Sequence, residues 1–261
     1  MTVFFHELRL NKIALIVWSL AISFMLGVCI MIYPEMSEQM GDISTMFSDM
    51  GAFSSAFGMD KLNFGEFMGY FGVECGNVLG LGGALFAAIV GANTLAKEEK
   101  EHTAEFLLTH PLSRVRIITE KLLSAFAQVC LLNAATIIVS CVGMVAIDVE
   151  VDVGTLMLVF LAYLILQLEI VAVTFGISAF LRRGALGAGL GLAFGLYFMN
   201  ILANLTEDLK FLKYITPFSY ADGAYIIPEK SLELKYIVVG VAIAAVGIAS
   251  SYWKYTRKDI S

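Results

Sequence analysis

Apolar residues fill this chain in blocks long enough to cross a bilayer, and polar residues collect between them. Six such blocks stand out, at residues 13–33, 70–95, 117–147, 155–181, 185–205 and 236–253. A helix crosses the hydrocarbon core with about 20 predominantly apolar residues. The pattern therefore predicts an all-α polytopic membrane protein, with six transmembrane helices in a single domain over residues 1–261. The block at 117–147 exceeds one span, so its first turns are expected to stand in water.

Composition agrees. The chain is 59% hydrophobic and only 15% charged, where a soluble domain is about 25% charged. The net charge of −6 decides little, because orientation follows Lys and Arg near the span ends. With the N-terminus inside, 12 of the 17 basic residues fall on the cytoplasmic side, among them Arg9, Lys12, Arg114, Arg116, Arg182, Arg183 and Arg257. Both termini are thus expected in the cytoplasm. The first block is too long for the apolar core of a cleaved signal. The four cysteines lie within spans and show no metal spacing, which leaves a disulfide framework or metal site unsupported.

The segments between the blocks carry their own patterns. Residues 1–12 place Phe4, Phe5 and Leu8 on one side of a short helix, as in an interfacial elbow helix. In the outer loop 34–69, Met36, Met40, Ile43, Phe47, Met50 and Phe57 recur at helical spacing, which predicts an amphipathic helix. Its methionines suit either a soft metal such as Cu(I) or flexible packing. The short loop 148–152 holds three acids. The last outer loop, 206–231, carries two apolar, Pro-punctuated pieces that read either as short helices dipping into the membrane or as an interfacial surface loop.

Two spans bear small residues at four-residue spacing: Gly72, Gly76 and Gly80 in the second, Gly187, Gly191 and Gly195 in the fifth. Such faces let helices approach closely in lipid. The fifth-span set is assigned here to contact with a second copy.

Glu169 is the acid nearest the middle of a span, where an ionisable group is costly. Four roles are open to it: lining a substrate path with Gln167, Asn200 and Asn204, carrying a proton, bonding Gln128 or Asn133 of the third span, or packing as a neutral acid. No HExxH spacing and no phosphate-binding G-x-x-x-x-G-K-[ST] occur, so any nucleotide energy must come from another polypeptide. No nucleic-acid module is visible.

The most charged stretch lies between the second and third blocks, at residues 97–113. It runs from Glu98 and Glu99 through Glu101 to Thr103-Ala104-Glu105-Phe106-Leu107-Leu108. Pro111-Leu112-Ser113-Arg114 follows, and Lys121 stands in the next helix. These residues resemble the permease subunit of ABC-2-type (type V fold) ABC transporters, which show an acidic run, T-x-E-x-L-L, Pro-x-Ser-Arg and a Lys in this order. The motif covers about thirty residues, and the architecture covers the whole chain.

The resemblance implies that 97–113 is a cytoplasmic coupling helix and that 206–231 forms outer re-entrant helices closing the exit. It implies two copies of a cytosolic ABC ATPase subunit, which would hold the ATP and Mg. It also implies a second permease, identical or paralogous, with the first and fifth spans at the dimer contact. The chain itself would be no enzyme and would bind no cofactor directly. It would act in export, in lipid, across the cytoplasmic membrane of a prokaryotic-type cell. The alternative is an ATP-independent membrane protein, either a secondary transporter using Glu169 or a membrane sensor.

Overall fold

A bilayer core offers no water to bond the backbone, so an apolar segment satisfies its N–H and C=O groups by coiling. Each of the six blocks does so. The computed structural model describes residues 2–37, 51–59, 61–100, 113–181 and 184–257. The helices are α1 (Thr2–Ser37), the short α2 (Ala52–Ala56), α3 (Phe67–Cys75), α4 (Gly82–Lys100) and α5 (Arg114–Ala146). They continue as α6 (Val153–Phe180), α7 (Ala185–Leu205), α8 (Gly223–Glu229) and α9 (Leu234–Arg257). A π-helical stretch, Gly76–Leu81, joins α3 to α4 without a break, so the two make one span. Two 3₁₀ stretches, Glu207–Tyr214 and Pro217–Ser219, lie between α7 and α8.

The helices extend the expected blocks at their ends. α1 runs uninterrupted from Thr2 to Ser37, so residues 2–12 continue directly into the first span. At 33 residues α5 is roughly 50 Å long at 1.5 Å per residue. Its surplus over a span lies in the first turns, which hold Arg114, Arg116, Glu120 and Lys121. The helix expected within 34–69 falls mostly on residues 38–50, outside the described residues.

Local chemistry sets the boundaries. Ser113 caps α5 by accepting from the Arg116 N–H at 3.3 Å. Asp152 caps α6 through the Gly154 and Thr155 N–H groups, and Asp222 caps α8 through the Ala224 N–H at 3.0 Å; side-chain oxygens there satisfy otherwise orphaned donors. Gly184, at φ 76°, makes the left-handed turn into α7 that a residue with a Cβ would resist.

α6 stands at the centre, packed along α4 on one side and α9 on the other; α7 leans on α4, and α1 pairs with α5. In the most apolar window of each span, 72% of residues are buried in Phe67–Ala96 and 61% in Val153–Phe180, against 17% in α7 and α9. The second and fourth spans thus form the core, and the others turn wide apolar faces outward. Phe71, Phe86, Phe160, Tyr163 and Leu166 centre the packing, with Phe71 edge-on to Phe160 at 5.9 Å.

Small residues bring the central helices together. A Cβ on Gly176 would lie 2.8 Å from the Gly247 carbonyl oxygen, and one on Gly247 equally close to the Ala172 oxygen. The second-span glycines serve the same end: Gly76 and Gly80 receive the Tyr163 ring, and Gly72 receives Ile227 of α8.

Gly247→Leu should therefore force α6 and α9 apart and cost about 1–3 kcal/mol, the usual penalty of overpacking. Thermal unfolding in detergent checks this, with Gly247→Ala expected between wild type and the leucine variant.

Candidate functional site

Polar side chains are scarce in this bundle and gather at two places. The first is the end where α1 begins, α4 ends, α5 begins and α9 ends. Lys121 is 1% exposed, and a lysine so buried needs a partner. It ion-pairs with Glu7 of α1 and donates to the Thr94 carbonyl oxygen near the end of α4 at 3.3 Å. Beside it, Glu120 accepts from the Val3 and Phe4 N–H groups at 3.0 and 3.2 Å and from Arg116 Nε at 2.9 Å. A carboxylate at the first turn of α1 satisfies orphan donors and meets the positive end of the helix dipole.

The same turns of α5 reach α9. Arg114 Nη1 donates to the Thr256 carbonyl oxygen at 3.3 Å, and the Thr119 and Tyr252 hydroxyls lie 2.7 Å apart. Residues 113–121 thus clamp α1, α4 and α9 together next to the charged block. Of the expected coupling residues, Arg114 belongs to this clamp, and Glu98 and Glu99 lie on the last turn of α4. Glu101, Thr103, Glu105, Phe106, Leu107, Leu108 and Pro111 fall outside the described residues.

The second place is the opposite end, where 206–231 folds inward as a hairpin. Thr216, Phe218, Ser219, Tyr220, Ala224 and Ile226 are all buried, which takes residues 216–226 off the surface, while Glu207–Tyr214 holds no buried residue. Tyr220 Oη donates to Glu169 Oε2 at 2.8 Å. The hairpin is also tied at two further points. Thr216 Oγ1 donates to the Leu196 carbonyl oxygen at 2.8 Å, and Lys230 Nζ bonds Asp152 Oδ2 at 2.7 Å. The Lys230 bond, then Thr155, holds the Asp152 carboxyl down at about 2. A depressed carboxyl contributes above the ordinary carboxylate range, so this tie fades only as pH falls from about 4 toward about 2.

The expected path residues divide between three settings. Glu169 bonds the hairpin, so the expected bond to Gln128 or Asn133 is replaced. Asn133 instead donates to Gln167 Oε1 at 2.7 Å, while Gln128 turns back on its own helix to the Ser124 carbonyl oxygen. Gln167 Nε2 donates to the Leu79 carbonyl oxygen within the π stretch at 3.2 Å. Fully buried, Gln167 bridges three helices.

Asn200 and Asn204 turn inward to a cavity of about 60 Å³, shared with Asn77, Tyr163, Tyr197 and Asp222. Asn204 Nδ2 donates to Asp222 Oδ2 at 3.4 Å, and burial pushes the Asp222 carboxyl up. The Asn200 and Asn204 side-chain amide oxygens have no hydrogen-bond partner among the described residues. Gly187, Gly191 and Gly195 present a different face of α7: a Cβ at any of them would meet nothing within 4 Å among the described residues.

Sequence reasoning missed Glu7 and Glu120 in the clamp, and Tyr220 and Asp222 in the hairpin. Glu120 and Lys121 carried a signal, being adjacent charges after an apolar run has begun. Tyr220 carried none, because its partner lies 51 residues away.

A family model described as "ABC-2 family transporter protein" matches residues 1–260. A comparison with curated proteins found no match.

Lys121→Met should cost about 3–5 kcal/mol, because it strands the half of a buried pair that remains. Adding Glu7→Gln should recover more than half of the loss. Thermal unfolding of the two variants beside wild type measures both.

Proposed function

We propose, from the premise that the chain belongs to the ABC-2 family of transporter proteins, that it is the permease of an ATP-driven exporter. In this reading two cytosolic ABC ATPase subunits bind ATP and Mg and close together. They dock on the 97–113 coupling segment, through Glu98, Glu99, Glu101, Thr103, Glu105, Phe106, Leu107, Leu108, Pro111 and Arg114. The orientation is the one the basic residues favour, with both termini in the cytoplasm of a prokaryotic-type cell. The first turns of α1, up to about residue 12, serve as the interfacial elbow, and the hairpin at 206–231 closes the outer exit.

The observation that carries the reading is the clamp beside the charged block. α4 leads into 97–113 and α5 leads out of it, and the first turns of α5 are bonded to α1, α4 and α9. A push on a segment so connected reaches four spans at once. A soft loop would absorb the displacement; a helix end held by buried ion pairs transmits it. ATP binding shifts the equilibrium only as far as the two permease states differ in their fit to the ATPase.

The second permease copy meets this one along α7. Support comes from the open face at Gly187, Gly191 and Gly195, where a neighbouring helix could approach the backbone closely. The pathway then runs at the boundary between the two copies.

An affinity pull-down of the tagged chain from native membranes should bring down a P-loop ATPase in equal amount. Glu105→Arg or Leu107→Asp should abolish that recovery and ATP-dependent transport while leaving the permease folded in the membrane. Recovery of the ATPase with either variant would overturn the docking assignment. Gly191→Trp should lower the yield of permease–permease cross-links at least tenfold without changing the yield of folded chain, as read by cross-linking in the membrane.

A further inference from the structure

We propose that Glu169 and Tyr220 form the latch that holds the outer exit shut, an inference that rests on the permease reading and assigns residues to its gate. Asp152, where Lys230 ties the hairpin, and Glu169, where Tyr220 ties it, are 17 positions apart on one helix. At 1.5 Å per residue that is roughly 25 Å along α6, set against a hydrocarbon core of about 30 Å. The hairpin is therefore pinned at its rim by Lys230 and deep in the bundle by Tyr220.

The deep pin is a costly choice for mere packing. Glu169 is 7% exposed and Tyr220 1%, and an acid at this depth is expensive beside a leucine of similar reach. The bond to Tyr220 is the one hydrogen bond of the Glu169 carboxyl among the described residues. A single hydrogen bond between polar groups suits a part that must open, because water can take over both partners when the hairpin lifts. An apolar wedge has no such substitute.

One neighbour holds the carboxyl in place. Gly240 of α9 lies against it so closely that a Cβ there would collide with it, and this backs the acid toward the hairpin. On the opposite flank α6 is seated on α4, where Gly91 lies against Thr174 and the Val171 carbonyl oxygen. α4 leads to the coupling segment. A displacement of α4 reaches α6 one and a half turns from Glu169, and so shifts the acid relative to the hairpin. Glu169 and Tyr220 are thus positioning residues for the gate, which need not touch the transported molecule.

Ala221 tests the latch, because it adjoins Tyr220, is 2% exposed and lines the cavity behind the hairpin. The full chain carries Ala221→Cys with its four native cysteines replaced by serine or alanine. It is labelled in permeabilised native membranes with a water-soluble maleimide, so access does not depend on orientation. Tyr220→Phe keeps the ring and removes only the hydroxyl. It should raise the labelling rate about two- to tenfold, the range expected for loss of one hydrogen bond between uncharged groups. Glu169→Leu should do the same, Glu169→Gln should label like the parent because it keeps an acceptor, and Glu169→Leu with Tyr220→Phe should exceed neither single variant.

Parental labelling in Tyr220→Phe, or additive rates in the double variant, would overturn the latch. A merely structural role would lower thermal stability while leaving Ala221→Cys shielded, and that result would overturn it too. The readout needs no ATPase. Failure of the permease reading would show separately, as absence of ATP-dependent transport by the wild-type complex.

Discussion

In hydrocarbon, a polar group that finds no partner inside the protein finds none at all, and this constraint arranges the whole molecule. It coils the six apolar blocks into helices, since only a helix satisfies its own backbone within one segment. It then decides where the few polar side chains can stand. Gln167 is admitted to the core because Asn133 and the Leu79 carbonyl oxygen occupy its two ends. The Leu79 carbonyl lies in the π stretch, where the wider register leaves backbone oxygens less regularly bonded. Buried Lys121 is admitted by Glu7 and Thr94. These contacts each tie two or three helices together, and the apolar contacts between them fill space around these ties.

The spans were legible in the sequence to within a few residues at most ends, because hydropathy reports the physical condition that makes them helices. Local caps followed equally simple chemistry, as at Ser113 and Asp152. Polar pairing was not legible. Glu169 was recognisable as an acid at membrane depth, yet its partner Tyr220 comes from a loop whose inward course depends on packing against four other segments. The same limit hid Glu7 and Lys121 as a pair, separated by 114 positions. Composition marks which groups are expensive to bury; only the fold says what offsets the expense.

Glycine spacing shows the limit from another side. Two spans carry the same small-xxx-small signal, and its outcome differs. In the second span the face is filled from within, by Tyr163 against Gly76 and Gly80 and by Ile227 against Gly72. In α7 the face at Gly187, Gly191 and Gly195 is open, while Ala193, on a different side of the helix, is fully buried. The spacing encodes the capacity for close approach, and the partner is supplied by whatever lies opposite. α7 makes its contacts inside the chain through one side, and the second side is open among the described residues.

The two polar sites lie at opposite ends of the bundle, and the core between them is what would join them in a transport cycle. α4 and α6 are the most buried helices and lie along each other for much of their length. They approach closely where Gly91 meets Thr174, with no flexible side chain between the backbones to take up slack. Interiors packed at such density move as discrete bodies and deform little. Motion at the clamp would then reach Glu169 as a displacement of the whole of α6, and the hairpin would respond according to whether its own ties followed. The Lys230 tie at the rim is exposed and can exchange with water. The Tyr220 bond is sealed, so it is where a small shift of α6 changes the balance between closed and open most sharply.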